Sequence, residues 1–205
     1  MIKVDIEQGT HEWHVLRHGK LTGTTLKSAL GSAKVQESLL YKLIADRMTE
    51  PQIYEINSQA VTRGQEIEPI ARKAVIAHTG IEFTETGMLI SDEIPSFGFS
   101  PDGIFEENGK VVGGLEIKCP DSKKHVEYLI NGGIPKEYIE QVKAPFLVSD
   151  DIEWWVFASF DDRNYERPLH IHKVGRSDFP TIEQDRKTVA DFMAKVEAEH
   201  TNLTF

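Results

Sequence analysis

Residues 97–120 read FGFSPDGIFEENGKVVGGLEIKCP, and this stretch decides the fold. Val111 to Cys119 is dense in β-branched and apolar residues and is predicted to form a strand. Phe97 to Phe105 is its predicted partner, and Asn108-Gly109 is a strong two-residue hairpin signal between them. Pro101 and Gly103 bracket Asp102, marking an irregular stretch where a carboxylate can leave the ladder. Side chains alternate along a strand, so Glu116 and Lys118 share one face while Ile117 points into the core. The hairpin therefore brings two carboxylates and an ammonium to one point. Asp102, Glu116 and the Ile117 carbonyl offer hard oxygen donors for a divalent cation, and Lys118 a positive charge for a water or an oxyanion. That set suits metal-assisted cleavage of a phosphodiester.

Each fragment also has a plain reading. Ser100-Pro101-Asp102-Gly103 is a favourable turn, and Glu116-Ile117-Lys118 is an ordinary half-solvated strand. Their conjunction within one hairpin, followed by Cys119-Pro120, is far more specific than either alone.

The remaining pattern alternates helices with strands. Thr10 is placed to cap a helix over 11–18, and Thr22 to cap one ending near Gly31. Residues 35–48 are predicted helical. So are 58–80, where Ile67, Ile70, Ala71, Ala74 and Val75 keep the spacing of a buried face and Gly80 terminates. Further strands are expected at 83–90, 152–160 and 168–174, and further helices at 122–130, 136–148 and 179–199. The order predicts an α/β fold, a central mixed β-sheet flanked by helices, formed by one domain over residues 1–205.

Composition narrows the function. No apolar run approaches the ~20 residues of a membrane span, and no secretory leader is visible, so a cytoplasmic protein without a membrane partner is expected. One cysteine cannot build an internal disulfide or a four-cysteine iron–sulfur cluster, and Cys119 reads as a small buried apolar residue. A net charge of −10 is the wrong sign for a protein that coats nucleic acid with its whole surface. The excess is local, however: residues 82–116 hold eight acids against one base. Phosphodiester cleavage would then call for a confined channel, with an acidic exterior limiting nonspecific adhesion.

The run from Ser100 to Pro120 resembles the PD-(D/E)XK nuclease core, and more narrowly the phage lambda exonuclease family of viral recombination nucleases. Trp13-His14-Val15-Leu16-Arg17, Gly19 and Leu21-Thr22-Gly23-Thr24 resemble that family's opening segment. Arg63-Gly64-Gln65-Glu66-Ile67-Glu68 resembles its Gly-x-x-x-Glu helix, and Gly132-Gly133-Ile134-Pro135, Tyr138 and Gln141-Val142 its later helix. The similarity spans roughly residues 10–175. It implies an Mg²⁺-dependent 5′-to-3′ exonuclease, with Mn²⁺ as a substitute, that digests one strand of linear double-stranded DNA and leaves a 3′ single-stranded overhang for phage-type recombination.

The resemblance also assigns roles. Asp102, Glu116 and the Ile117 carbonyl would bind the first of two metals, and Lys118 would serve the attacking water. Glu68 and Gln141 would be accessory catalytic residues, supported by Tyr138. Without the resemblance, Glu68 and Gln141 read as solvated helix residues. Arg17, Thr24 and Lys124 match the positions gripping a terminal 5′-phosphate, with lysine where arginine is usual and threonine where serine occurs. Val61 matches an apolar wedge that separates strands, or else is ordinary packing. A ring-shaped homotrimer and a single-strand annealing recombinase partner are implied as well.

Other features stay outside this set. His170 and His172 share a strand face but lack an adjacent third metal ligand. Of Trp154 and Trp155, one ring belongs to the core and the other is free to stack on DNA or meet a subunit. Ile182, Val189, Phe192, Met193 and Val196 form a stripe that docks on the domain or on a neighbouring subunit. An endonuclease on the same core, and a noncatalytic DNA-binding module, are the competing readings.

Overall fold

The structure, a computed structural model, describes residues 1–51 and 59–204, with side chains from 62 onward in the second stretch. The element order is β1 (Ile2–Val4), α1 (His11–Arg17), β2 (Leu21–Thr22), α2 (Leu26–Ala29), α3 (Ala33–Met48) and α4 (Gln59–Thr79). Then follow β3 (Met88–Ile90), β4 (Phe97–Phe99), β5 (Gly103–Glu107), β6 (Lys110–Lys118), α5 (Ser122–Asn131) and α6 (Ile139–Val148). The chain closes with β7 (Trp154–Phe160), β8 (Leu169–Gly175) and α7 (Ile182–Leu203). Among the described residues no helix is long and apolar enough to cross a membrane.

The expected central sheet is two mixed four-stranded sheets, ordered β1-β3-β4-β2 and β5-β6-β7-β8. Their separation occurs at Ser100-Pro101-Asp102, where the strand expected over 97–105 breaks into β4 and β5. Pro101 has no N–H for a ladder, so pairing stops there and resumes at Gly103 against Leu115. Likewise the strand expected over 83–90 is reduced to Met88–Ile90 and an isolated bridge between Thr84 and Ile104. The hairpin turn forms as expected: Asn108 (φ 52°) and Gly109 (φ 76°) take the two left-handed positions of a two-residue loop. Thr22 is not a helix cap. It lies in β2, parallel to β4, and Thr25 occupies the cap position of α2.

β6 is interior, antiparallel to β5 and parallel to β7. Its Gly113 and Gly114 are required by close approach rather than by turning. A Cβ on Gly113 would lie 2.3 Å from the Trp154 ring, and one on Gly114 2.1 Å from that of Trp155. Trp155 is fully buried and meets Phe99 edge-on at 5.3 Å between centroids. Trp154 is committed too: it packs against Phe83 and Phe105 and carries the Lys173 ammonium 4.1 Å above its ring.

Two apolar clusters flank this sheet. The larger joins β4, α2, α3, α6 and β7 to α7, whose Ile182, Val189, Phe192, Met193 and Val196 are all buried in it. The stripe on the last helix is thus used within the chain. The smaller packs Ala71 and Val75 of α4 on Leu115, Ile117 and Val156. Cys119 is half-buried at its edge rather than enclosed, and burial pushes its thiol up to about 11. His170 is a structural residue. Its Nε2 donates to the Gly133 carbonyl at 2.8 Å, tying β8 to the two-glycine turn before α6.

Candidate active site

Where the two sheets part, a cavity of about 150 Å³ opens between the end of β4, the C-terminal half of β6, one face of α1 and the start of α6. Asp102, Glu116, Lys118, Gln141, Arg17 and Thr24 all line it, and these were expected from the sequence. Period-two alternation puts Glu116 and Lys118 on one face of β6, where the Lys118 ammonium is hydrogen-bonded to Glu116 Oε1. The Gln141 amide donates to that same oxygen from the first turn of α6. Asp102 is held against β6: its N–H donates to the Leu115 carbonyl at 3.1 Å, and its Oδ2 accepts the Ile117 N–H at 2.6 Å.

The carboxylates are held in an unfavourable state. Burial pushes Glu116 up to about 7, with the charges of Asp102 and Glu68 adding to it and Lys118 opposing. Burial also raises Asp102, against the pull of Lys118 and the Ile117 N–H. For Lys118 burial works the other way, but Glu116 and Asp102 outweigh it and the ammonium is held more firmly than usual. A cation would relieve this repulsion. Among the described residues Asp102 Oδ1 and Glu116 Oε2 accept no hydrogen bond, leaving two hard oxygen donors for it. Such oxygens suit a hard divalent cation. The described residues contain no cluster of three His, Cys, Asp or Glu side chains arranged to hold a metal.

Glu68 stands behind this group rather than in the cavity wall. Its carboxylate accepts from Arg72 Nη2 at 2.8 Å, one helical turn away on α4. Burial and the charge of Asp102 raise its pKa. Arg72 also donates from Nε to the Asp102 carbonyl at 2.8 Å, so one guanidinium links the two acids. Tyr138 is the residue before α6; its ring stacks on Phe157 and has the Lys118 ammonium 5.3 Å from its centroid.

Arg17 and Thr24 are joined in the cavity by Ser100, which sequence reading treated only as a turn residue. Ser100 Oγ accepts from Arg17 Nη1 at 2.8 Å and from Trp13 Nε1 at 3.0 Å. With both lone pairs engaged, its own proton is left to donate, and the hydroxyl lines the cavity. Arg17 lies 4.3 Å above the Trp13 ring, which fixes its fork. Burial draws its pKa down while Glu116 opposes, yet a guanidinium remains a cation. Gln8 was missed as well; it buttresses the loop by donating to the Pro101 carbonyl at 2.7 Å. The signal for Ser100 was its place two residues before Asp102.

Lys124 is not brought to this cavity. Its ammonium sits 3.3 Å from both Glu127 and Glu137, against the Tyr128 ring. Val61 lies outside the residues whose side chains are described.

A split pair of mixed sheets with a buried Glu and a half-buried Asp and Lys at their junction defines a nuclease of the PD-(D/E)XK type. The chain belongs to the YqaJ-like viral recombinase domain family, whose profile matches residues 12–151. Among solved structures it is similar to an alkaline exonuclease, LHK-Exo, from Laribacter hongkongensis. That likeness has 32% identity and a TM-score of 0.84, covering 95% of this chain and 96% of that one. The same protein in complex with dAMP matches at 33% identity and a TM-score of 0.83, with the same coverage. A phage related exonuclease from Haemophilus somnus 129PT shares the fold at 11% identity and a TM-score of 0.61, covering 91% of this chain and 98% of that one. No curated protein matches the sequence.

Proposed function

We propose that this single-domain protein is an Mg²⁺-dependent exonuclease that digests one strand of linear duplex DNA from its 5′ end, leaving a 3′ overhang. The observation that carries the reading is the meeting of Asp102, Glu116, Lys118 and Gln141 in one cavity with a phosphate-sized group of donors, Arg17, Ser100 and Thr24. Asp102 and Glu116, with the Ile117 carbonyl, would hold the cation. When bound, it supplies Lewis-acid stabilisation of negative charge at the scissile phosphate. Lys118 Nζ donates to the attacking water and to charge developing on phosphorus. Gln141, already on Glu116, keeps that carboxylate oriented, and Glu68 acts through Arg72 on the Asp102 loop.

Arg17, Ser100 and Thr24 would seat the terminal 5′-phosphate: a guanidinium fork and two hydroxyls for an anion. Lys124, held by two glutamates, takes no part in this reading. The family likeness and the one-sided placement of the donors favour an end-dependent enzyme over an endonuclease. A ring-shaped homotrimer around the duplex and an annealing recombinase that takes up the exposed strand complete the proposal.

The test is digestion of linear duplexes labelled at either terminus, with Mg²⁺, beside a supercoiled plasmid. Early release of the 5′ label with the plasmid intact is expected. Nicking or linearisation of the plasmid would establish the endonuclease instead, and no release from any substrate would leave a binding module.

A further inference from the structure

The wall formed by Arg17 and Thr24 has a second side. Both residues also line a larger open basin of about 600 Å³, together with Lys20, His14, His18 and Lys42. Its size is that of a small-molecule site, roughly 300–1,000 Å³. Asp46 and Glu50 are its acids. Asp46 is paired with Lys42 at 2.5 Å, and Glu50 is exposed at the rim. His18 is committed through Nε2 to the Thr49 carbonyl at 2.9 Å. Lys20 differs from these. It is half-buried, makes no ion pair among the described residues, and stands near a second cation, Arg47. Burial and that neighbour both lower its pKa. A half-buried ammonium that lines a cavity and meets no carboxylate among the described residues is placed to take an anion.

Arg17 and Thr24 line both cavities, so the seat proposed for the 5′-phosphate borders the basin that Lys20 lines. We propose that this basin takes the further phosphoryl groups of a 5′-di- or triphosphorylated strand end, with Lys20 as their main contact. This rests on the reading of Arg17, Ser100 and Thr24 as the terminal-phosphate seat. The chemistry at the scissile bond is unchanged. A water oxygen bonds to phosphorus and the bond from phosphorus to the 3′-oxygen breaks. The first nucleotide leaves with a 3′-hydroxyl and its polyphosphate intact, and the remaining strand keeps a 5′-phosphate. A single charged phosphate contact is worth roughly tenfold in rate.

The experiment compares initial digestion of one duplex carrying a 5′-hydroxyl, 5′-monophosphate or 5′-triphosphate, by the full chain and by Lys20→Gln and Lys20→Arg. The full chain should cut triphosphate ends within about threefold of monophosphate ends and release a nucleoside triphosphate. Lys20→Gln should lower the triphosphate-to-monophosphate ratio about tenfold, and Lys20→Arg should restore it. Triphosphate ends left uncut while monophosphate ends are digested would overturn the basin's assignment. An unchanged ratio in Lys20→Gln would do the same for Lys20. Equal rates on hydroxyl and monophosphate ends would instead overturn the phosphate seat on which the proposal stands.

Discussion

Replacing Glu116 by Gln should make the metal-free protein more stable at alkaline pH while abolishing its activity. In the folded chain the Glu116 carboxyl is held near 7 against an ordinary value of 4.5, chiefly by burial. The fold thus binds that proton more tightly than the unfolded chain does. The group's contribution to stability is full below about pH 4.5 and is lost as pH rises through about 7. At about 1.4 kcal/mol for each tenfold in proton affinity, the ionised group costs on the order of 3 kcal/mol, its attraction to Lys118 already included. Glutamine keeps the shape and removes the charge. Near pH 8 and without metal, Glu116→Gln should melt several degrees above the parent, since each kcal/mol is worth roughly 2–4 °C at this size. Near pH 4 the two should melt together. Thermal melts across that range in chelator decide it. A variant less stable than the parent by the same margin at both ends would show that Glu116 contributes through hydrogen bonding rather than suffering as a buried charge.

The same electrostatics predict that Mg²⁺ stabilises the parent. At ten times its dissociation constant the gain is about 1.4 kcal/mol, read as a rise in Tm that Asp102→Asn removes. Ser100→Ala removes the acceptor of Arg17 Nη1, while Trp13 Nε1 keeps the Gly87 carbonyl at 3.1 Å, and it deletes a hydroxyl from the phosphate seat. It should lower kcat/KM on 5′-phosphorylated ends by about tenfold or more, with little effect on 5′-hydroxyl ends, measured on matched duplexes. Gly114→Ala forces a Cβ to 2.1 Å from the buried Trp155 ring. The overpacking should cost about 1–3 kcal/mol or more, visible in chemical denaturation.

Much of the candidate site was legible because it rests on short-range rules. The two-residue spacing of Glu116 and Lys118 fixes their common face, and the Asn108-Gly109 turn returns Asp102 to them. What the sequence hid was long-range. The β1 and β2 strands, of three and two residues, are too short to carry a period and exist only through pairing with β3 and β4. Pro101 signalled an irregularity but not that it divides one sheet from another. Ser100 looked like a turn former because its hydroxyl acquires meaning only when α1 delivers Trp13 and Arg17 to it. The converse holds for Lys124. Its helix is capped at Lys124 N–H by Asp121, and its ammonium turns to Glu127 and Glu137 rather than the cavity.

The account stands on Lys118 acting with Asp102 and Glu116 at one phosphate. The most direct measurement is nucleotide release from a 5′-phosphorylated linear duplex in Mg²⁺ by Lys118→Ala, with folding checked by circular dichroism. A folded variant slowed by about a hundredfold or more is the predicted result. A folded variant that releases nucleotides at the parent's rate would contradict it.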